Sequence, residues 1–358
     1  MTLLLTNEEV ERALVPEEAI TATETIYREL AEGKAVNRPR SQTYFPIESK
    51  EHPGFQYRMK TQEGAGADCG VWALRITSDM AGFSYTAGVK RRRILRAASG
   101  DKWCGLIILF DLERIEPIAI MPDGVIQKVR VAALSVVGAK YLAPEKPKVL
   151  GLFGSGWQAG AHIEFLCRQF PFEKVKVFSP NREHCRDFCA QMSVQLGRAV
   201  DPADSPRACV EGSDFVQTAT AAWDPVFDGH WVEKGVYVAS IGGADASNKR
   251  REIDDECIRR ADVYAVHSKE VARLDQSPDV WEVAQKGIFP WDSIHEIQDL
   301  IVGRAQGRTS PDQITVFNNN TGAGTQFAAL GSAILKRARA QGLGRELPTD
   351  WFLEDVSP

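Results

Sequence analysis

The sequence predicts an α/β protein: a Rossmann-type doubly wound parallel sheet plus a second, mixed α+β domain. Three observations predict it. Val149-Leu150-Gly151-Leu152-Phe153 reads as a buried strand running into Gly154-Ser155-Gly156-Trp157-Gln158-Ala159 and then a helix with apolar spacing at His162, Phe165, Leu166 and Phe170. From that point strands and helices alternate, and the strands are almost wholly apolar, as in a parallel sheet covered on both faces. Before it, the pattern is mostly strand after strand. The length of 358 residues exceeds one typical core and suits about two domains.

The elements follow in order. Residues 1–6 read as an edge strand. Thr6-Asn7-Glu8-Glu9 has the form of a capping box opening a short helix. Pro16-Glu17-Glu18 opens a second helix, with Ile20, Ile26 and Leu30 apolar and Gly33 ending it. Phe55–Lys60 alternates as a strand, Val71–Ile76 follows the loop 63–70, and Leu106–Asp111 with Pro117–Met121 forms a hairpin. Between them Lys90-Arg91-Arg92-Arg93 and Arg96 form a basic cluster, read as a solvated loop in preference to a phosphate site, because like charges usually stay in water. A helix runs from Gly124 to about Tyr141. The alternation then gives strand 149–153, helix 157–170, strand 175–178, helix 182–196, strands 215–220 and 236–241, helix 252–261 and strand 263–266. Ile314–Phe317 leads into a loop at 318–324, and a last helix spans about Gln326 to Ala340. The expected domains are 126–324 for the nucleotide fold and 1–125 with 325–358 for the other.

Bulk composition narrows the function. Hydrophobic content of 44% with 25% charged residues is that of a globular protein, and a net charge of −5 gives a nucleic-acid partner no support. No apolar run is long enough to cross a bilayer and no basic-then-apolar leader opens the chain, so a cytoplasmic, non-membrane protein is expected. The 7 cysteines are scattered with no C-x-x-C, as expected of reduced thiols. Cys185 and Cys189 beside His184 have one-turn spacing, but no second ligand pair follows, so no metal is expected. Asn319-Asn320-Thr321 is a formal glycosylation sequon, without meaning in an unsecreted chain.

The loop 154–159 dictates a ligand. Gly154 permits the tight turn, Gly156 lets backbone approach a pyrophosphate, and Ala159 allows close helix packing, while the helix N-terminus offers N–H groups to phosphate oxygens. Ser155 and Gln158 lie within the same loop. In NAD sites an acid ends the second strand and binds the ribose 2′-hydroxyl. Here Phe178 is followed by Ser179-Pro180-Asn181-Arg182, with no acid, so NADP is favoured over NAD.

Hydride chemistry on a small carboxylate needs a cation for that carboxylate and a proton donor or acceptor at the reacting atom. Arg40, Lys60, Arg75 and Arg130 are the candidate cations; Arg130 stands in an otherwise apolar helical stretch and reads equally as a ligand clamp or a surface ion pair. Asp245 follows strand 236–241 beyond Gly242-Gly243, at the carboxyl end of a parallel strand, where such sheets place ligands.

These residues together resemble the ornithine cyclodeaminase/mu-crystallin family. The matching pieces are Arg38-Pro39-Arg40, Leu109-Phe110-Asp111, Glu116-Pro117-Ile118-Ala119, Arg130-Val131-Ala132-Ala133, Lys140-Tyr141-Leu142-Ala143, the loop 154–159, Thr220 before Pro225, Gly243-Ala244-Asp245 before Glu252, and Val316-Phe317-Asn318. They span nearly the whole chain in order. The resemblance implies a homodimer, a substrate and dimerisation domain built from the N-terminal segment and last helix, and NAD(P)-linked chemistry on an amino acid, 2-oxo acid or imine. It also implies that Arg130 holds the substrate carboxylate, that Arg40 is a second anion contact, and that Asp245 is the acid/base. Thr220, Gly243 and Asn320 join the implied cofactor contacts. The family's pocket lysine corresponds to Arg75 or to Lys60; an arginine is a poor proton donor near neutral pH, whereas a buried lysine is a good one. The segment 246–252 lacks the family's Pro-Gly turn, and the region 64–105 is rich in arginine; both depart from the pattern expected for ornithine. The expected activity is an amino-acid or imine oxidoreductase. A redox-neutral cyclodeaminase and a non-catalytic, crystallin-like nucleotide binder are the alternatives.

Overall fold

A computed structural model describes residues 1–86, 88–243, 249–319 and 322–356. The chain forms two compact units. One comprises Met1–Gly82, Ile94–Arg130 and Gly322–Pro358, the other Phe83–Arg93 and Val131–Thr321.

The first unit opens with strand β1 (Thr2–Leu4) and helices α1 (Asn7–Ala13) and α2 (Pro16–Glu32). The capping box at α1 is complete: the Glu9 backbone N–H donates to Thr6 Oγ1 and the Glu9 carboxylate accepts from the Thr6 N–H at 2.8 Å. Seven further strands follow: β2 (Ala35–Asn37), β3 (Ser41–Glu48), β4 (Phe55–Gly66), β5 (Val71–Thr86), β6 (Val89–Leu95), β7 (Cys104–Asp111) and β8 (Pro117–Pro122). The sheet order runs from the C-terminal strand Arg345–Leu347 through β1, β8, β7, β5 and β4 to β2, with β3 also paired to β4 and β6 to β5. Residues 2–4 are therefore not an edge: β1 is parallel to β8 on one side and antiparallel to Arg345–Leu347 on the other. The expected β7–β8 hairpin is present.

The long pair β4–β5 positions the chemistry of this unit. Its antiparallel register sets Lys60 against Thr77 and Gln62 against Arg75, so alternate polar side chains share one face. The helix Gly324–Ala340 packs on β4 and α2. Close approach needs glycine: a Cβ at Gly64 would lie 2.2 Å from the Thr325 nitrogen.

Helix α3 (Gly124–Leu142) leads toward the second unit, whose sheet is parallel throughout. Its strands are β9 (Val149–Phe153), β10 (Lys174–Phe178), β11 (Asp201–Pro202), β12 (Phe215–Thr218), β13 (Tyr237–Ser240), β14 (Val263–Val266), β15 (Ile294–Glu296) and β16 (Thr315–Asn318), in the order β11-β10-β9-β12-β13-β16-β14-β15. Helices α4 (Trp157–Gln169) and α5 (Arg182–Leu196) follow β9 and β10. Strands β12 and β13 are fully buried, and apolar side chains from β12, β13, β14 and β16 build the core of one face. Because β9 is flanked by β10 and β12, the chain reverses its direction of progress there, which opens a crevice at the carboxyl end of β9.

Two expectations change here. The helix expected over 252–261 is confined to Asp255–Arg259, with Asp254 as N-cap, because Glu252 turns inward instead of joining the helix. The basic cluster at 90–93 is not a solvated loop but part of β6, half-buried at Lys90 to Arg92, and Phe83–Arg93 groups with the second unit. Among the described residues no helix is long and apolar enough to cross a membrane, and no group of three His, Cys, Asp or Glu is arranged around a common centre.

Candidate active site

A candidate nucleotide site of the second unit is built at the end of β9. Gly154 has φ +112°, and a Cβ there would lie 2.4 Å from the Ala219 carbonyl oxygen, so only glycine fits. Gly156 is the N-cap of α4 without a side-chain cap, and a Cβ at Gly156 would meet nothing within 4 Å. Its backbone thus faces open space at a helix N-terminus, where N–H groups have no partner in the helix. Ala159 is fully buried against the sheet.

That open space is a groove of about 920 Å³, whose wall includes Gly154, Ser155, Gly156, Ser179, Asn181 and Thr220. Its size lies at the upper end of the range of about 300–1,000 Å³ for small-molecule sites. The donor-rich glycine loop and this volume fit a dinucleotide. Ser155 Oγ lies 2.9 Å from His184 Nδ1, a contact absent from the sequence expectations. Asn181 caps α5 by accepting from the His184 backbone N–H.

Arg182 departs from expectation. Its guanidinium donates to the Ala203 carbonyl at 2.8 Å and to that of Asp204, and stacks over Phe178, so it braces the β10–β11 region and does not line the groove. Gln158 does not line it either; its backbone carbonyl oxygen lies 2.7 Å from His162 Nδ1. Asp245 and Asn320 lie outside the described residues. Gly243 is present with its carbonyl accepting from Arg250 Nε at 2.7 Å.

Sequence reasoning missed the residue that shapes this site. Glu252 is fully buried and accepts from the Thr220 N–H and Oγ1, Thr218 Oγ1 at 3.0 Å, and the Ile241 N–H at 3.1 Å. One carboxylate thereby ties together the carboxyl ends of β12 and β13, where a ligand-bearing loop must be held still. Its inward turn is a tertiary effect that no local spacing signals.

A second candidate site, a cluster of buried cations, lies in the first unit. Arg75 donates from Nε and Nη2 to Asp123 Oδ2 at 2.8 and 2.6 Å, and from Nη1 to Gln62 Oε1 at 2.6 Å. Gln62 in turn donates to the Gly322 carbonyl at 2.6 Å. Arg58 makes a two-pronged pair with Asp79 at 2.8 and 2.6 Å, and Lys60 Nζ stands 3.7 Å from the same carboxylate. Burial, reinforced by Arg58 and Arg75, pulls the Lys60 amine well below the ordinary lysine range.

Arg130 is the exception among these cations. It is 5% exposed, yet among the described residues it donates only to neutral amides: Nε to Gln127 Oε1 at 3.0 Å and Nη1 to Gln326 Oε1 at 2.9 Å. Gln326 is oriented for this by donating its own N–H to the Tyr27 hydroxyl at 2.9 Å. Phe327 lies under both Arg75 and Arg130, with centroid distances of 5.2 and 5.3 Å. Burial and then Arg75 push the Arg130 guanidinium down to about 9, so it remains cationic at neutral pH. Arg40, half-buried, adds to the positive field on Lys60 and Arg130. The structure thus brings Arg40, Lys60, Arg75 and Arg130 together and spends Arg75 on Asp123. Arg130 carries no carboxylate partner among the described residues.

One unit holds a parallel sheet with a glycine-loop crevice of the kind that binds dinucleotides, and the other a mixed sheet bearing a buried cation cluster. The chain belongs to the ornithine cyclodeaminase/mu-crystallin family, whose model matches residues 1–341. It is 30% identical over 244 residues to a Delta(1)-pyrroline-2-carboxylate reductase of Bacillus cereus, covering 68% of this chain and 74% of that one. It is 27% identical to an alanine dehydrogenase of Archaeoglobus fulgidus, over 97% of this chain and 98% of that one. A solved structure of the Thermococcus litoralis Delta(1)-pyrroline-2-carboxylate reductase with NADH and L-proline superposes with a TM-score of 0.82 at 26% identity, covering 97% of this chain and 100% of that one.

Proposed function

We propose that this protein is an NAD(P)-dependent oxidoreductase acting at the α-carbon of an amino acid or its imine. The observation that carries the reading is Arg130: a buried guanidinium satisfied, among the described residues, only by amide oxygens, beside an arginine already neutralised by Asp123. An anionic ligand completes such a site, because an unpaired buried charge is costly and a carboxylate matches the guanidinium fork. When bound, the nicotinamide supplies or accepts the hydride.

The chain's own residues take the remaining roles. Arg130, helped by Arg40, holds the substrate carboxylate and so orients the α-carbon. Lys60 is the proton donor or acceptor near the imine nitrogen, since burial and the neighbouring arginines lower its pKa well below the ordinary lysine range and so make its proton easier to give up. Arg75, locked on Asp123 and Gln62, positions Gln62 and the Gly322 backbone and does not replace the family lysine. The resemblance assigns Asp245 as the acid/base, and Lys60 acts beside it. Gly154, Ser155, Gly156 and Thr220 cradle the dinucleotide, and the lack of an acid after Phe178 supports acceptance of a 2′-phosphate, hence NADP. A homodimer in the cytoplasm completes the proposal.

The test is nicotinamide absorbance with a panel of cyclic imines and of 2-oxo acids plus ammonia or methylamine, using both cofactors. Stoichiometric NAD(P)H consumption is expected, faster with NADPH. Conversion of ornithine to proline with no change in that absorbance would replace the reading by a cyclodeaminase.

A further inference from the structure

Lys90 and Arg91, at the tip of the β5–β6 hairpin, line the same groove as the glycine loop. The hairpin is seated there by specific contacts. Arg91 forms an antiparallel bridge with Ala222, and the Trp223 N–H donates to the Lys90 carbonyl at 3.2 Å. Phe83 and Trp223 meet edge to face at 4.9 Å, and the Lys90 ammonium stands 4.6 and 4.2 Å from their ring centroids. Lys90 is thus held by packing. Arg91 is not: its side chain makes no hydrogen bond or ion pair among the described residues, and its Nε is shut off from solvent without a partner. Tyr85 stands at the same rim, 72% exposed. The other charged or titratable groups lining the groove are Asp224 and His184, and His184 is engaged with Ser155. Arg182, the cation expected there from the sequence, is committed to two backbone carbonyls.

We propose that Arg91 is a phosphate contact for the dinucleotide, presented by the β5–β6 hairpin and seated by Lys90, Phe83 and Trp223. The inference rests on the dinucleotide reading above and adds a residue that the glycine loop does not contain. A half-desolvated guanidinium with an unused Nε matches a phosphate, which accepts several charge-assisted hydrogen bonds. The dinucleotide has a pyrophosphate in both forms and a 2′-phosphate in NADP alone, and the experiment separates the two.

The full-length wild type and Arg91→Gln are titrated with NADPH, NADH and reduced nicotinamide mononucleotide, following quenching of protein fluorescence. Arg91→Gln is expected to weaken dinucleotide binding by about 10- to 100-fold, as for loss of one charge-assisted contact, and to weaken the mononucleotide, which keeps a single phosphate, by no more than it weakens NADH. A loss confined to NADPH assigns the contact to the 2′-phosphate; equal losses with NADPH and NADH assign it to the pyrophosphate. Arg91→Lys should recover part of the affinity with a steeper salt dependence, and an unchanged melting temperature in both variants separates contact loss from undocking of the hairpin. Unchanged affinities for both dinucleotides in Arg91→Gln overturn the proposal. Absence of any dinucleotide binding by the wild type would instead overturn the reading on which it rests.

Discussion

Replacing Arg130 by glutamine should leave the protein about as stable as before while crippling substrate binding. Burial lowers its pKa from 12.5 to about 9. At about 1.4 kcal/mol per unit, that shift corresponds to a cost of about 5 kcal/mol for keeping the charge inside the apo protein. Against it stand two hydrogen bonds to the Gln127 and Gln326 amide oxygens, each worth about 1.5–3 kcal/mol with a charged donor. The two contributions nearly cancel, so a change in unfolding free energy within about 2 kcal/mol is expected in urea titrations. With substrate the balance differs, because the carboxylate loses its cation. Truncating one partner of a buried charge pair costs about 2–5 kcal/mol, so kcat/KM should fall by about 30-fold or more, mainly through KM. Asp123→Asn is the contrasting variant. It strips Arg75 of the one carboxylate it pairs with among the described residues and should cost about 3–5 kcal/mol of stability. If Arg130→Gln destabilised as much as Asp123→Asn and left KM unchanged, Arg130 would be a structural cation and the carboxylate assignment would fall.

Three further outcomes follow from the same geometry. Lys60→Met should lower turnover by about 100-fold or more; in the reductive direction the protonated amine donates, so the wild-type rate should decline as pH rises through a pKa well below the ordinary 10.5, and persistence of that limb in the variant would exclude Lys60. Gly156→Ala meets no atom within 4 Å, so the melting temperature should hold while the KM for the dinucleotide rises; an unchanged KM would mean that no ligand approaches this backbone. His162 is fully buried, and burial lowers its pKa from 6.5 to about 4, so the unfolded chain binds the extra proton between those values. Its contribution to stability is therefore complete above pH 6.5 and is lost on acidification toward pH 4, by about 2 kcal/mol between pH 7 and 5. Urea titrations of His162→Gln should show a shallower decline over that interval, and an identical decline would remove His162 as its source.

What could be read from the sequence was what short segments encode. The strand into Gly154, the turn and α4 depend on neighbours within twenty residues, and each was recognisable from residue type and spacing. So were the caps of α1 and α2. The strands β4 and β5 were only partly visible, because polar residues such as Lys60, Gln62, Arg75 and Thr77 occupy a buried face and break the apolar alternation. Arg130 was ambiguous for a different reason. The amide that distinguishes a ligand clamp from a surface ion pair belongs to Gln326, 196 residues away. The basic cluster was misread because its seat, Ala222 and Trp223, is equally remote. Arg182 was over-read for the converse reason: a guanidinium after the second strand suggests a 2′-phosphate, but the carbonyls of Ala203 and Asp204 claim it.

The cation cluster also explains why the site tolerates so much positive charge before any ligand arrives. Arg58 and Arg75 are each matched by one carboxylate, Asp79 and Asp123, through two short hydrogen bonds. That leaves Lys60 and Arg130 to bear the unbalanced charge, and these are the two cations whose pKa values are lowered. The strain is therefore not spread evenly but falls on the groups assigned to proton transfer and carboxylate capture. A bound carboxylate would relieve both at once, favouring the charged form of Lys60 as it docks on Arg130. Substrate binding and protonation of the donor are then coupled in the direction that reduction needs: the enzyme acquires its proton as it acquires the imine. An uncharged imine of the same shape would bind without that gain, so a cluster that captures a carboxylate in this way would select against substrates lacking one.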